Sequence, residues 1–283
     1  MSSCILFACT CLDTDRLFVI NEFIDSFKQH FNDVDIYTGI NYGSVPEVES
    51  ILDESNLNIQ YKRITDKNMY TASDAGAYQA AMKLLVDSNK EYDNYWFIHT
   101  KGAVHSHSDY LRSWYIEHLI NRRSHVENFM SYGIGSYGML ATYSNPDITS
   151  NEDYSIEIPL VSNEITEIFT CSKMPYFYIH SLYVIGKGPM AVFLQNITDK
   201  FFESKLNMYF FEGAMPYIAS RTGYFTYVDN MISAHTSADL SLVAHEWILQ
   251  NKKEDLTKYL NLPYRTYQFD QLTPQQLHVN SNT

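Results

Sequence analysis

Positive charge is what this sequence has least of. Its 20 lysines and arginines stand against 33 aspartates and glutamates, a net charge of -13 at pH 7. A surface of that sign repels phosphate backbones and anionic headgroups, so no nucleic-acid partner and no electrostatic membrane docking are expected. Cysteine is scarce too: Cys4, Cys9, Cys11 and Cys171, with no Cys-x-x-Cys pair. Cys9-x-Cys11 is a poor zinc signal, and the set reads as reduced thiols. No stretch reaches the ~20 apolar residues of a membrane helix. The N-terminus lacks a basic n-region, and its apolar run is too short for a signal peptide. The expectation is a cytoplasmic protein with no transmembrane segment.

Core-forming residues, by contrast, are plentiful. Apolar residues make up 45% of the 283, with 23 tyrosines and 16 phenylalanines. That composition supports a full aromatic core, and one α/β domain is expected over 1–273, with a loose Gln/Asn-rich tail over 274–283. Cys4 to Thr10 reads as a first strand. Leu17, Ile20, Ile24, Phe27 and Phe31 then recur at helical spacing, with Asp13 or Thr14 as N-cap. Val34–Thr38 and Asn58–Ile64 read as strands two and three, and Ser73 as the cap of a helix facing inward through Ala77, Ala80, Ala81, Leu84 and Leu85. Tyr95–Ile98 is a fourth, buried strand. The order β-α-β-β-α-β is that of a mononucleotide-binding half, about 1–110.

Downstream, 110–130 has helical spacing, 133–143 and 176–185 look like strands, and Gly188-Pro189 opens a helix. Further helices are expected over 211–222 and 240–250. These make up a second half, about 111–273.

The fourth strand ends abruptly at His99-Thr100-Lys101-Gly102. In open α/β sheets ligands bind beyond the carboxyl ends of strands, where strand order reverses. The plain structural alternative is a lysine reaching solvent and a histidine bonded to a nearby carbonyl.

Asp74-Ala-Gly-Ala-Tyr78, a helix, Tyr92-Asp93, an apolar strand and His99-Thr-Lys-Gly102 together resemble the rhamnan synthesis F-like glycosyltransferases, relatives of the GT-A fold. That family has a "GrDigp" segment, then "Yd", a strand, "HTK", and a helix with Trp and Arg. Arg112 and Trp114 stand in the matching helix here. Phe211-Glu212-Gly-Ala-Met-Pro216 and Gly223-Tyr224 look like its "ER..p......GY" segment. The match spans about 60–230. It departs where Ala72-Ser73 replace the arginine before the aspartate, and where Gly102 replaces a second basic residue.

The resemblance implies a GT-A-like, mixed and mostly parallel sheet flanked by helices. It also implies transfer of a sugar, with inversion, from a nucleotide-diphosphate donor to a glycan or glycoconjugate hydroxyl. Most GT-A enzymes hold Mn²⁺ or Mg²⁺ with an Asp-x-Asp at this tip, and oxygen ligands suit those ions. Here His and Lys stand instead. In one reading Lys101, aided by Arg112, supplies fixed positive charge to the leaving diphosphate. In the other, His99 ligates Mn²⁺ or Mg²⁺ with a later residue such as Asp229 or His235.

Thr10 and Cys11, in the loop after strand one, are donor contacts by the same resemblance, as are Asp74, His99, Thr100 and Gly102. Asp74 also reads simply as a carboxylate favoured at a helix start. Glu212 is the expected general base, with Asp229 as alternate; an ordinary first-turn glutamate is the plain alternative. Asp13-Thr14-Asp15 spells Asp-x-Asp, but its place before a helix fits N-capping. His105, His107 and Asp109 form a possible metal cluster, which would make the protein a hydrolase. A third alternative is a non-catalytic nucleotide- or glycan-binding protein on the same fold.

Overall fold

Every residue of the first strand, β1 (Ser3–Cys9), is buried, as expected of a parallel strand covered on both faces. The structure is a computed structural model that describes residues 1–67, 74–104, 109–143, 176–178, 181–197, 199–203, 205–206, 210–211, 215, 218–219, 225–232 and 266–267. β1 pairs in parallel with β2 (Asp35–Ile40) on one side and β4 (Asn94–His99) on the other. β3 (Ile59–Arg63) continues the sheet beyond β2.

Beyond β4 the sheet is mixed. β7 (Tyr183–Gly186) runs antiparallel to β4 and to β5 (Ile134–Tyr143). β5 is parallel to β8 (Phe225–Ile232) and antiparallel to β6 (Tyr176–Tyr178). β9 (Thr266–Tyr267) closes the edge against β8. Among the described residues the sheet has nine strands, in the order β3-β2-β1-β4-β7-β5-β8-β9 with β6 beside β5. β1 to β5 and β8 therefore point one way, and their carboxyl ends share one rim.

Strand alternation splits the core into two layers. Ile5, Phe7, Trp96 and Ile98 face α1 (Leu17–His30), α2 (Glu47–Asp53), α4 (Asp109–His118) and α5 (Arg123–Met130). A file of rings fills this layer: Phe7 meets Phe27 edge-on at 5.2 Å, and Phe31 meets Trp96 at 4.9 Å. Leu6, Ala8, Tyr95 and Phe97 face α3 (Ala75–Ser88), α6 (Lys187–Asn196) and α7 (Asp199–Glu203). There Phe97 stacks on Tyr183 at 4.9 Å.

α3 lies unusually close to the sheet. A Cβ built on Gly39 of β2 would fall on the backbone carbonyl of Ala77. Only glycine permits that approach, and it draws the first turn of α3 down onto the strand ends.

Several expected elements differ in detail. The 110–130 helix is two helices, with a 3-10 turn at Ile120–Arg122 between them. The turn buries Ile120 and brings Arg123 Nη1 within 2.8 Å of the His30 carbonyl, at the last turn of α1. The 176–185 strand is also two pieces. Its register against β5 jumps from Ala141↔Tyr178 to Gly138↔Tyr183, and Ser181 between them has φ 49°. α3 has Asp74, not Ser73, at its N-cap position.

In the expected 211–222 helix, the described residues Phe211, Met215, Ile218 and Ala219 are helical and buried. The expected helix over 240–250, the tail from 274, and Cys171 lie outside the described residues. Among the described residues, no helix is long and apolar enough to cross a membrane.

Candidate functional site

The strand order reverses between β1 and β4: the chain steps outward from β1 to β2 and β3, then returns to β1's other side. Such a switch leaves a crevice beyond the two carboxyl ends. Polar side chains from four elements meet there. Thr10 follows β1, Asn41 follows β2, His99 ends β4, and Asp74 stands before α3.

His99 Nδ1 lies 2.6 Å from Asp74 Oδ2. Thr10 Oγ1 donates to Asp74 Oδ1 at 3.5 Å and accepts from Asn41 Nδ2 at 3.2 Å. Asp74 occupies an N-cap position, yet its side chain makes no cap hydrogen bond. It turns instead toward the imidazole, so the helix-start reading of Asp74 does not account for its orientation.

His99 is buried, and its Nε2 has no hydrogen-bond partner among the described residues. Burial opposes the charge on Asp74. The imidazole of His99 and the ammonium of Lys101 outweigh it and hold the carboxyl below its ordinary value. Lys101 is half-buried and close enough for that effect.

A depressed carboxylate stabilises the fold above its unfolded pKa, and that contribution is lost as pH falls through the folded pKa. For Asp74 the loss lies below 3.8. Asp74→Asn is expected to be less stable than wild type at pH 5 to 7. The gap should narrow as pH drops below about 4. Urea unfolding across that range checks this; a gap independent of pH contradicts it.

Thr100 has a different task. Its Oγ1 accepts from Thr10 N–H at 2.8 Å and donates to Thr10 O at 2.9 Å. This clasp closes the ends of β1 and β4, so the Thr100 hydroxyl is committed to backbone. Gly102 has φ 86°, in the left-handed region that glycine accepts. Cys11 is fully buried, with its Sγ donating to Asp13 O at 3.1 Å, so the thiol is not presented to a donor. Burial pushes the thiols of Cys9 and Cys11 up, which leaves them neutral.

Arg112 is not brought to the tip cluster. Its guanidinium donates to Glu22 of α1 at 2.6 Å and to Asp109 at 2.6 Å. Burial makes that pairing obligatory, since an unpaired buried cation is costly. Asp109 is bound by both Arg16 and Arg112, which leaves it unfit for the metal cluster read from the sequence. His105 and His107 lie outside the described residues.

Asp13 accepts from Asp15 N–H at 3.0 Å and caps a 3-10 turn, Thr14–Arg16, as the capping reading requires. Glu212 and His235 lie outside the described residues. Phe211, just before Glu212, packs on Tyr78 at 5.1 Å and Phe97 at 5.8 Å. Asp229 belongs to β8.

Mn²⁺ and Mg²⁺ favour several oxygen ligands. Among the described residues, no three His, Cys, Asp or Glu side chains converge. The one carboxylate at the tip already holds an imidazole. The described residues do not fit such an ion.

Asn41 was not anticipated. An isolated asparagine after a strand carries no motif, and its role depends on β1 lying alongside. A concavity elsewhere also escaped the sequence reading. It is a cleft of about 360 Å³ between the end of β3, α3 and α7, lined by Lys62, Arg63, Gln79, Lys83, Phe202 and Glu203 among others. None of the residues read from the sequence as site residues lines it. Comparison of the chain with protein-family models gives no match, and a search of curated proteins gives none.

Proposed function

We propose that the protein is a glycosyltransferase that moves a sugar from a nucleotide-diphosphate donor to a hydroxyl of a glycan or glycoconjugate. The observation that carries this reading is the convergence of Thr10, Asp74 and His99, with Lys101 beside them, at the β1/β4 switch point. That is where a doubly wound sheet receives a nucleotide. The α/β sheet with helices on both faces is compatible with a GT-A-like fold, and the motif order read from the sequence supports the family resemblance.

In this mechanism the acceptor oxygen attacks the anomeric carbon from the face opposite the leaving group. Glu212 takes the acceptor proton. The bond from the anomeric carbon to the diphosphate oxygen breaks, and the diphosphate departs with the electron pair. Lys101 stabilises the charge that develops there. Asp74 and Thr10 present a hydrogen-bonding surface to ribose or to the donor sugar. The free thiols of Cys4, Cys9 and Cys11 suit the cytoplasm.

Calorimetry with a panel of uridine- and guanosine-diphosphate sugars, with and without Mn²⁺, tests the reading. Lys101→Ala is expected to weaken donor binding by about tenfold or more, as loss of a charge-assisted contact predicts. Equal affinity in wild type and Lys101→Ala contradicts it.

A further inference from the structure

Arg16 touches nothing at the tip cluster itself, yet it holds the peptide beside it. Its Nη2 donates to the Gly102 carbonyl at 2.5 Å, and its guanidinium forks onto both oxygens of Asp109. One side chain from the β1–α1 connection thus fastens both the exit of β4 and the start of α4. Arg112 braces Asp109 from the other side and reaches on to Glu22. The Phe18 ring lies under both cations, 4.7 Å from Arg16 and 5.4 Å from Arg112.

Lys101 stands between two anchors. Thr100 is clasped to the Thr10 backbone on one side, and Gly102 is held by Arg16 on the other. The Asp13 cap fixes the short turn that presents Arg16.

We infer that Arg16 is a positioning residue: by holding the Gly102 carbonyl it fixes the turn that carries Lys101 in place for diphosphate. The inference rests on the reading of the site given above. It depends on the fork and not on charge alone: Arg16→Lys keeps the charge but lacks the planar guanidinium that spans both Asp109 oxygens and the Gly102 carbonyl.

The test is calorimetric titration of the full chain with inorganic pyrophosphate, with thermal midpoints recorded for every variant. Arg16→Lys and Arg16→Ala are each expected to weaken pyrophosphate binding at least about fivefold. Deuterium uptake in peptides spanning 99–104 should rise in both. Should Arg16→Ala not fold, Asp109→Asn serves in its place, since it removes half of the same fork.

Arg123→Lys is the control. Arg123, on α5, forks between Glu127 and Asp33, which lies just ahead of β2 at the rim opposite the tip. It should leave pyrophosphate binding unchanged. Wild-type affinity in Arg16→Lys, or an equal loss in Arg123→Lys, overturns the inference and leaves the reading of the site standing. A wild-type protein that binds neither pyrophosphate nor any nucleoside diphosphate overturns both.

Discussion

Alanine at position 39 is expected to lower the thermal midpoint by about 6 °C or more, from overpacking of some 2–3 kcal/mol. The added methyl would fall on the Ala77 carbonyl, which is backbone and cannot swing aside. Either α3 lifts or β2 bends. Lifting α3 also carries Asp74 away from His99 and Thr10, now 2.6 and 3.5 Å distant. The destabilised variant should therefore also lose ligand affinity at temperatures where it remains folded. Circular dichroism melts with a parallel donor titration measure both effects. A midpoint within about 1 °C of wild type would show that the helix has slack the geometry denies.

The larger effect on chemistry belongs to Glu212. Under the proposed mechanism, Glu212→Gln keeps shape and hydrogen-bonding capacity but cannot take the acceptor proton. Loss of a general base typically lowers the chemical step by about 10²–10⁴-fold. Nucleotide-sugar affinity should stay within about twofold of wild type, since the base faces the acceptor and not the diphosphate. Single-turnover transfer with the donor found by the panel gives the first quantity, and calorimetry the second. Undiminished transfer in Glu212→Gln would remove it as the base and move the test to Asp229.

The parts of the fold legible in the sequence are those with a strong local period. β1, α1, β2, β3 and β4 all appear where alternation or helical spacing places them. α2 was missed because seven residues with two buried side chains, Val48 and Leu52, give too little pattern. The division of the 110–130 helix was hidden because the apolar spacing runs on through the 3-10 turn. The break is accompanied by a distant contact, the Arg123 guanidinium reaching the end of α1. The interruption between β6 and β7 is likewise set by register against β5.

The site divides the same way. His99 and Asp74 carry a recognisable order along the chain, and they do meet. Arg112 has the right spacing, but Glu22 and Asp109 claim its charge. Asn41, Arg16 and Gly39 matter through partners 31 to 93 positions away, or through a neighbouring helix, and no window of sequence displays that.

The segregation of strand ends has a practical corollary. Glu91 lies just ahead of β4, at the rim opposite His99, and its side chain is 74% exposed. A fluorophore attached through cysteine there would stand about 20 Å from the tip of β4, given the rise per residue of a six-residue strand. That is far enough to spare the polar cluster, and near enough for energy transfer to a labelled nucleotide.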